Sequence, residues 1–161
     1  MRIFGAVALA AVALASTAAA QSSPFSEPPA PRAGQYSDTS SPTLGDIMLT
    51  TQLRHIKVWF AGRTGNWRLL QHEVATLQDT LIRAALLYQG IPIEEVTKVD
   101  KPVMALIEAA KDKDSAKFQA AYGELNNACN SCHKAGGVEF IRIQTPNASP
   151  FGDQAYPSPP Q

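Results

Sequence analysis

Residues 114–137 read DSAKFQAAYGELNNACNSCHKAGG. An acid opens this stretch and a double glycine closes it, the ends that a helix favours. Between them Phe118, Ala121, Tyr122, Leu125, Cys129 and Cys132 recur at three- and four-residue steps, so they share one face of a helix. The same pattern extends backwards along the chain. Lys111 to Asp114 is a charged turn with Asp114 as the cap. Asp100 and Pro102 start an earlier helix that carries Val103, Leu106, Ile107 and Ala110. Before it, Trp67, Leu70, Val74, Leu77, Leu81 and Ala84 form an apolar stripe, capped by Asn66 and stopped by Gly90 and Pro92. A first helix runs from about Thr43 to Ala61. Ser41, Pro42, Thr43 and Asp46 mark its start, and Gly62 and Gly65 its end. No strand-like alternation interrupts the series, although Val138 to Ile143 suits a short extended piece. The expected fold class is all-α, an antiparallel four-helix bundle over residues 43–137. An extended C-terminal tail, 138–161, comes after it.

Composition narrows the possibilities. The chain has 161 residues with 14 basic and 14 acidic side chains, so no basic excess points to nucleic acid or an anionic membrane. Two cysteines exclude a multi-disulfide scaffold and a four-cysteine metal site. No paired general bases, phosphate-binding loop or Ser/His/Asp order stands out, so no enzyme activity is expected.

The first twenty residues read as an address. Met1 and Arg2 precede an uncharged apolar run, Ile3 to Ala15, and Ala18 and Ala20 supply an A-x-A cleavage site. The run is shorter than the ~20 residues of a membrane span. The expectation is therefore a cleaved secretory leader, 1–20, and an exported protein without a membrane span. Residues 21–42 contain Pro24, Pro28, Pro29, Pro31 and Pro42 among Ser, Gly and Ala, and read as a flexible tether. Pro146, Pro150, Pro157, Pro159 and Pro160 give the far end a similar character.

The chemistry lies in Cys129-Asn130-Ser131-Cys132-His133, a C-x-x-C-H string that is the attachment signature of haem c. Two thiols three residues apart on a helix lie on one side, where each can form a thioether with a haem vinyl group. The adjoining imidazole of His133 then ligates the iron, its other ring nitrogen oriented by an acceptor. The competing readings are a C-x-x-C disulfide and a zinc site. A redox pair belongs at a helix N-terminus after a strand, whereas this one sits late in a helix. Zinc needs more ligands than are present locally.

A leader, four helices and C-x-x-C-H on the last helix resemble the class II c-type cytochromes, that is, cytochrome c′ and its low-spin four-helix relatives. The stretch from Leu44-Gly45-Asp46-Ile47-Met48 through Arg54-His55-Ile56-Lys57-Val58-Trp59-Phe60-Ala61-Gly62 also resembles a bacterial subgroup of exported cytochrome c-like proteins. The likeness covers about Thr43 to Pro150. It implies one covalent haem c, a periplasmic location, and either of two functions. A low-spin relative carries electrons with a helix A methionine on the iron. A high-spin relative leaves that position to an apolar residue and binds nitric oxide or carbon monoxide. It also implies a homodimer through helices A and B; the chain itself names no redox partner. One departure is evident, since 28 residues follow His133 where the family usually ends soon after this histidine.

For the other side of the iron, the candidates are Met48, Met104, His55 and His72. At ~100° per residue, Leu44, Met48, Gln52, His55 and Trp59 lie on one stripe of helix A. Met48 and His55 on that stripe are the leading ligand candidates, with Met48 matching the low-spin placement. Met104 is expected to pack and His72 to be exposed. Arg54 and Lys57 are candidates to pair with haem propionates, or simply form a solvated helix face, and Gln52 is a candidate polar contact. Trp59, Phe60, Trp67, Phe118 and Tyr122 are expected as core and pocket wall. Asn147-Ala148-Ser149 matches a glycosylation sequon, a weak pattern.

Overall fold

The computed structural model describes residues 41–158, and within them the regular structure is entirely helical. The expected leader and almost all of the expected tether lie outside the described residues. Five helices occur in order: α1 (Leu44–Arg63), α2 (Trp67–Leu87), α3 (Ile93–Lys98), α4 (Asp100–Asp112) and α5 (Ser115–Ala135). The four long ones pack as a bundle, with α1 on α2, α2 on α4, α4 on α5, and α5 back on α1. None is long and apolar enough to cross a membrane.

Local chemistry explains the boundaries. Thr43 caps α1 in a capping box: the Asp46 N–H donates to Thr43 Oγ1 at 3.2 Å and the Thr43 N–H donates to Asp46 Oδ2 at 3.0 Å. The Thr43 hydroxyl, which donates to Asp46 Oδ2 at 2.6 Å, and then the Thr43 N–H hold the Asp46 carboxyl below its ordinary range. Asn66 caps α2 by accepting from the Leu69 N–H at 3.1 Å. Asp114 caps α5 by accepting from the Ala116 and Lys117 N–H groups. All three caps lie where the sequence places them.

Two features depart from the expectation. Helix α3 has no counterpart in the expected series. Its signals are present, with Pro92 before it, Glu94 and Glu95 in its first turn and Lys98 in its last, but six residues are too few for a hydrophobic period to register. Gly62 does not end helix A. It lies within α1 and is buried, because Phe118 of α5 occupies the space a side chain would take; a Cβ there would stand 2.3 Å from the Phe118 ring. The chain reverses three residues later, at Gly65, with φ +71°.

The core is formed by Val58 and Ala61 of α1, Leu70, Val74 and Leu77 of α2, Val103 and Leu106 of α4, and Phe118, Tyr122 and Leu125 of α5. It sits towards the α1–α2 and α4–α5 turns. The first half of α1 contributes much less, with Ile47 and Thr51 as its buried residues. Large apolar side chains remain exposed elsewhere: Leu49, Leu86, Leu87, Ile93, Phe140 and Ile141. Met104, expected to pack, is 54% exposed.

The glycine contacts make a stability prediction. Gly62→Ala forces the Phe118 ring to move and should destabilise the fold by about 1–3 kcal/mol. Gly123→Ala, in a helix position with nothing within 4 Å of the new Cβ, should instead stabilise it by up to ~1 kcal/mol. Urea denaturation of the two variants checks the opposite signs.

Candidate functional site

Helix α5 positions the motif in its last two turns. Relative to Cys129, ~100° per residue puts Cys132 about 60° to one side and His133 about 40° to the other. The three side chains therefore share one arc of the helix. Both cysteines are free thiols, half-buried. Burial pushes the Cys129 thiol up to about 12. The Cys132 thiol is also raised, by burial first and then by the Glu95 carboxylate. Both therefore stay protonated near neutral pH, the opposite of the lowered thiolate pKa that drives thiol–disulfide exchange.

His133 is held by the chain that comes after it. Its Nδ1 lies 2.7 Å from the Ile141 carbonyl oxygen. A carbonyl only accepts, so Nδ1 carries the proton and Nε2 presents a lone pair. The orienting acceptor expected for a ligand imidazole is thus a backbone carbonyl.

The two spacer residues of the motif are also engaged. Asn130 clasps Ile143 at both ends of its amide: Nδ2 donates to the Ile143 carbonyl at 2.8 Å and Oδ1 accepts from the Ile143 N–H at 2.8 Å. Ser131 Oγ donates to Glu95 of α3 at 2.8 Å. Glu95 also pairs with Lys98, and these contacts hold its carboxyl below the ordinary range.

The segment expected as an extended tail is a strap laid on the bundle. It meets α5 at Ile141, Ile143 and Thr145. It then runs along α1, where Lys57 stands 4.7 Å over the Phe151 ring and Phe60 packs on Tyr156. Its Tyr156 carbonyl accepts from Asn66 Nδ2 at 2.9 Å. Tyr156 is buried.

The predicted residues of α1 fall in different surroundings. His55 is 4% exposed, and both ring nitrogens are occupied within the protein. Nε2 lies 2.6 Å from Asn126 Oδ1, and Nδ1 lies 2.9 Å from the Tyr122 hydroxyl. Asn126 Nδ2 donates to Thr145 Oγ1 at 3.2 Å, so its Oδ1 faces the histidine, Nε2 carries the proton and Nδ1 accepts. Arg54, read from the sequence as a propionate partner or part of a solvated helix face, is paired with buried Glu73 of α2 at 2.9 Å. Gln52 is exposed and Met48 half-buried. His72 is exposed, as expected.

The α1–α5 contacts define a register. Gly62 meets Phe118, Trp59 stacks between Phe118 and Tyr122, and His55 joins Tyr122 and Asn126. Each step back along α1 is matched by an equal step forward along α5. Met48 lies two turns before His55 on the same stripe of α1, beyond the last of these contacts.

The polar partners Asn126, Asn130, Glu95 and Glu73 are not marked by any motif in the sequence. A weaker signal exists for the first two. Asparagine is a poor helix former, and Asn126, Asn130 and His133 recur at steps of four and three on one face. Among the described residues no group of three or more His, Cys, Asp or Glu side chains gathers to hold a metal ion. The chain matches no family model, no curated protein and no solved structure.

His55 carries a pH prediction. Burial pushes its imidazole from 6.5 down to about 4, opposed in part by the Asn126 hydrogen bond. The unfolded chain takes up this proton near 6.5 and the folded chain does not, so stability falls as pH drops through that interval. Between pH ~6.5 and ~5, mostly above the carboxylate range, the loss should be about 1.5 kcal/mol. Denaturant midpoints across that window should slope in the wild type and be flatter in His55→Gln.

Proposed function

We propose that this chain is an exported mono-haem c-type cytochrome that carries single electrons. The observation carrying this reading is the state of the motif: C-x-x-C-H on one arc of α5, with His133 holding its proton on Nδ1 and offering Nε2. The fit with a haem rests on three features. The donor set is two thioether-forming sulfurs and one neutral imidazole, the complement of haem c. The cysteines are protonated and half-buried, unlike an exchange-active pair. Ile93 of α3 and Phe140 and Ile141 of the strap, the elements that bond to Ser131 and His133, are large exposed apolar side chains, the kind that a flat apolar macrocycle covers.

When bound, the haem supplies a one-electron iron centre. The rest is the work of the chain. Cys129 and Cys132 would hold the group covalently. His133 would supply one nitrogen ligand, its ring oriented by the Ile141 carbonyl. Met48 is the residue we assign as the second ligand, because it shares an α1 stripe with His55 and Trp59, which meet α5, and because both nitrogens of His55 are committed to Asn126 and Tyr122. A thioether there raises the reduction potential and suits electron transfer. Export through a leader at residues 1–20 agrees with a covalently attached haem, since an oxidising compartment cannot pair as a disulfide two sulfurs already bonded in thioethers.

The test is expression beside a functioning haem-ligation system. The expected product is red, carries one iron protoporphyrin by intact mass, and in the oxidised form shows a near-infrared methionine-to-iron charge-transfer band. Cys129→Ala or Cys132→Ala should lose one thioether, and Met48→Ala should lose the near-infrared band. A colourless product overturns the assignment. A red product that takes up carbon monoxide readily when reduced would instead support a gas-binding protein.

A further inference from the structure

Three side chains of α5 face the strap in sequence: Asn126 to Thr145, Asn130 to Ile143 and His133 to Ile141. The partners on α5 are spaced four and three apart, and those on the strap two and two. These are the repeats of a helix and of an extended chain, and the two segments run antiparallel. The Asn130 clasp is the strongest element, because its amide satisfies both backbone groups of Ile143 in the way a neighbouring strand would. The Ile141 carbonyl that accepts from His133 lies two residues from that clasp.

We propose that Asn130 is a positioning residue for His133. By fastening Ile143 it holds the Ile141 carbonyl over Nδ1, which fixes the ring orientation and keeps the donor lone pair on Nε2. Asn126 secures the next point of the strap and shares its amide with His55, so the same device links the strap to α1. The effect on an iron ligand comes from ordinary donor chemistry. An imidazole whose N–H donates to a carbonyl is a stronger base, which favours the oxidised metal and lowers the reduction potential. This last effect rests on the haem reading, whereas the clasp and the proton position do not.

The experiment compares wild type, Asn130→Ala and Asn130→Gln as the full exported protein, reduced so that bound iron is low-spin and diamagnetic. The readouts are solvent exchange of the Ile143 N–H and the His133 Nδ1–H by NMR, together with the reduction potential. Wild type should protect both protons. Asn130→Ala should exchange both at least roughly tenfold faster and shift the potential upward, while helical circular dichroism stays unchanged. Asn130→Gln, which keeps both ends of the amide, should recover part of the protection. An unprotected Nδ1–H in wild type, or unaltered exchange in Asn130→Ala, overturns the proposal. A colourless protein with both protons protected and the alanine effect present would leave the clasp standing and remove only the haem reading. A red protein lacking the protection would do the reverse.

Discussion

The seam between α1 and α5 governs how the other elements are placed. Phe118 needs the absent side chain of Gly62, and that close approach fixes how far one helix can slide along the other. Trp59 then fits between Phe118 and Tyr122, and His55 meets Tyr122 and Asn126. A shift by one turn would leave the His55 ring buried without partners, at a cost of several kcal/mol for its unsatisfied polar atoms. The seam thus determines which part of α1 lies level with the C-x-x-C-H turn.

The seam also gives different surroundings to two residues that the sequence offered for the same task. His55 and Met48 lie on one stripe of α1, and either one is chemically able to ligate iron. Tertiary contacts separate them. His55 becomes the polar joint of the seam, its Nε2–H donated to Asn126 and its Nδ1 accepting from Tyr122. Met48 lies beyond the last seam contact. Arg54 is likewise taken by Glu73, a buried carboxylate that requires a cation beside it.

The strap gives the last helix a second set of partners. Late turns of a helix carry carbonyls without intrahelical donors and side chains without neighbours. Here the chain doubles back after Gly137, and the Asn126, Asn130 and His133 face becomes a docking line for extended backbone. The strap continues to Asn66, which caps α2 with its oxygen and holds the Tyr156 carbonyl with its nitrogen. One asparagine therefore ties the C-terminal segment to the α1–α2 turn.

The sequence by itself determined the four long helices, their caps and the motif, because these depend on neighbours within a few residues: a hydroxyl before a first turn, an apolar step of three or four, two thiols and an imidazole in a row. It did not determine the meaning of Gly62, the pairing of Arg54, the occupation of His55 or the course of the strap. The contacts concerned join residues 8 to 90 positions apart, most of them 19 or more. Local patterning says which face of a helix is apolar, but not which helix it meets or at what register. Only the packed bundle settles that, because only there does a buried nitrogen find its acceptor, or a ring find the space that glycine leaves.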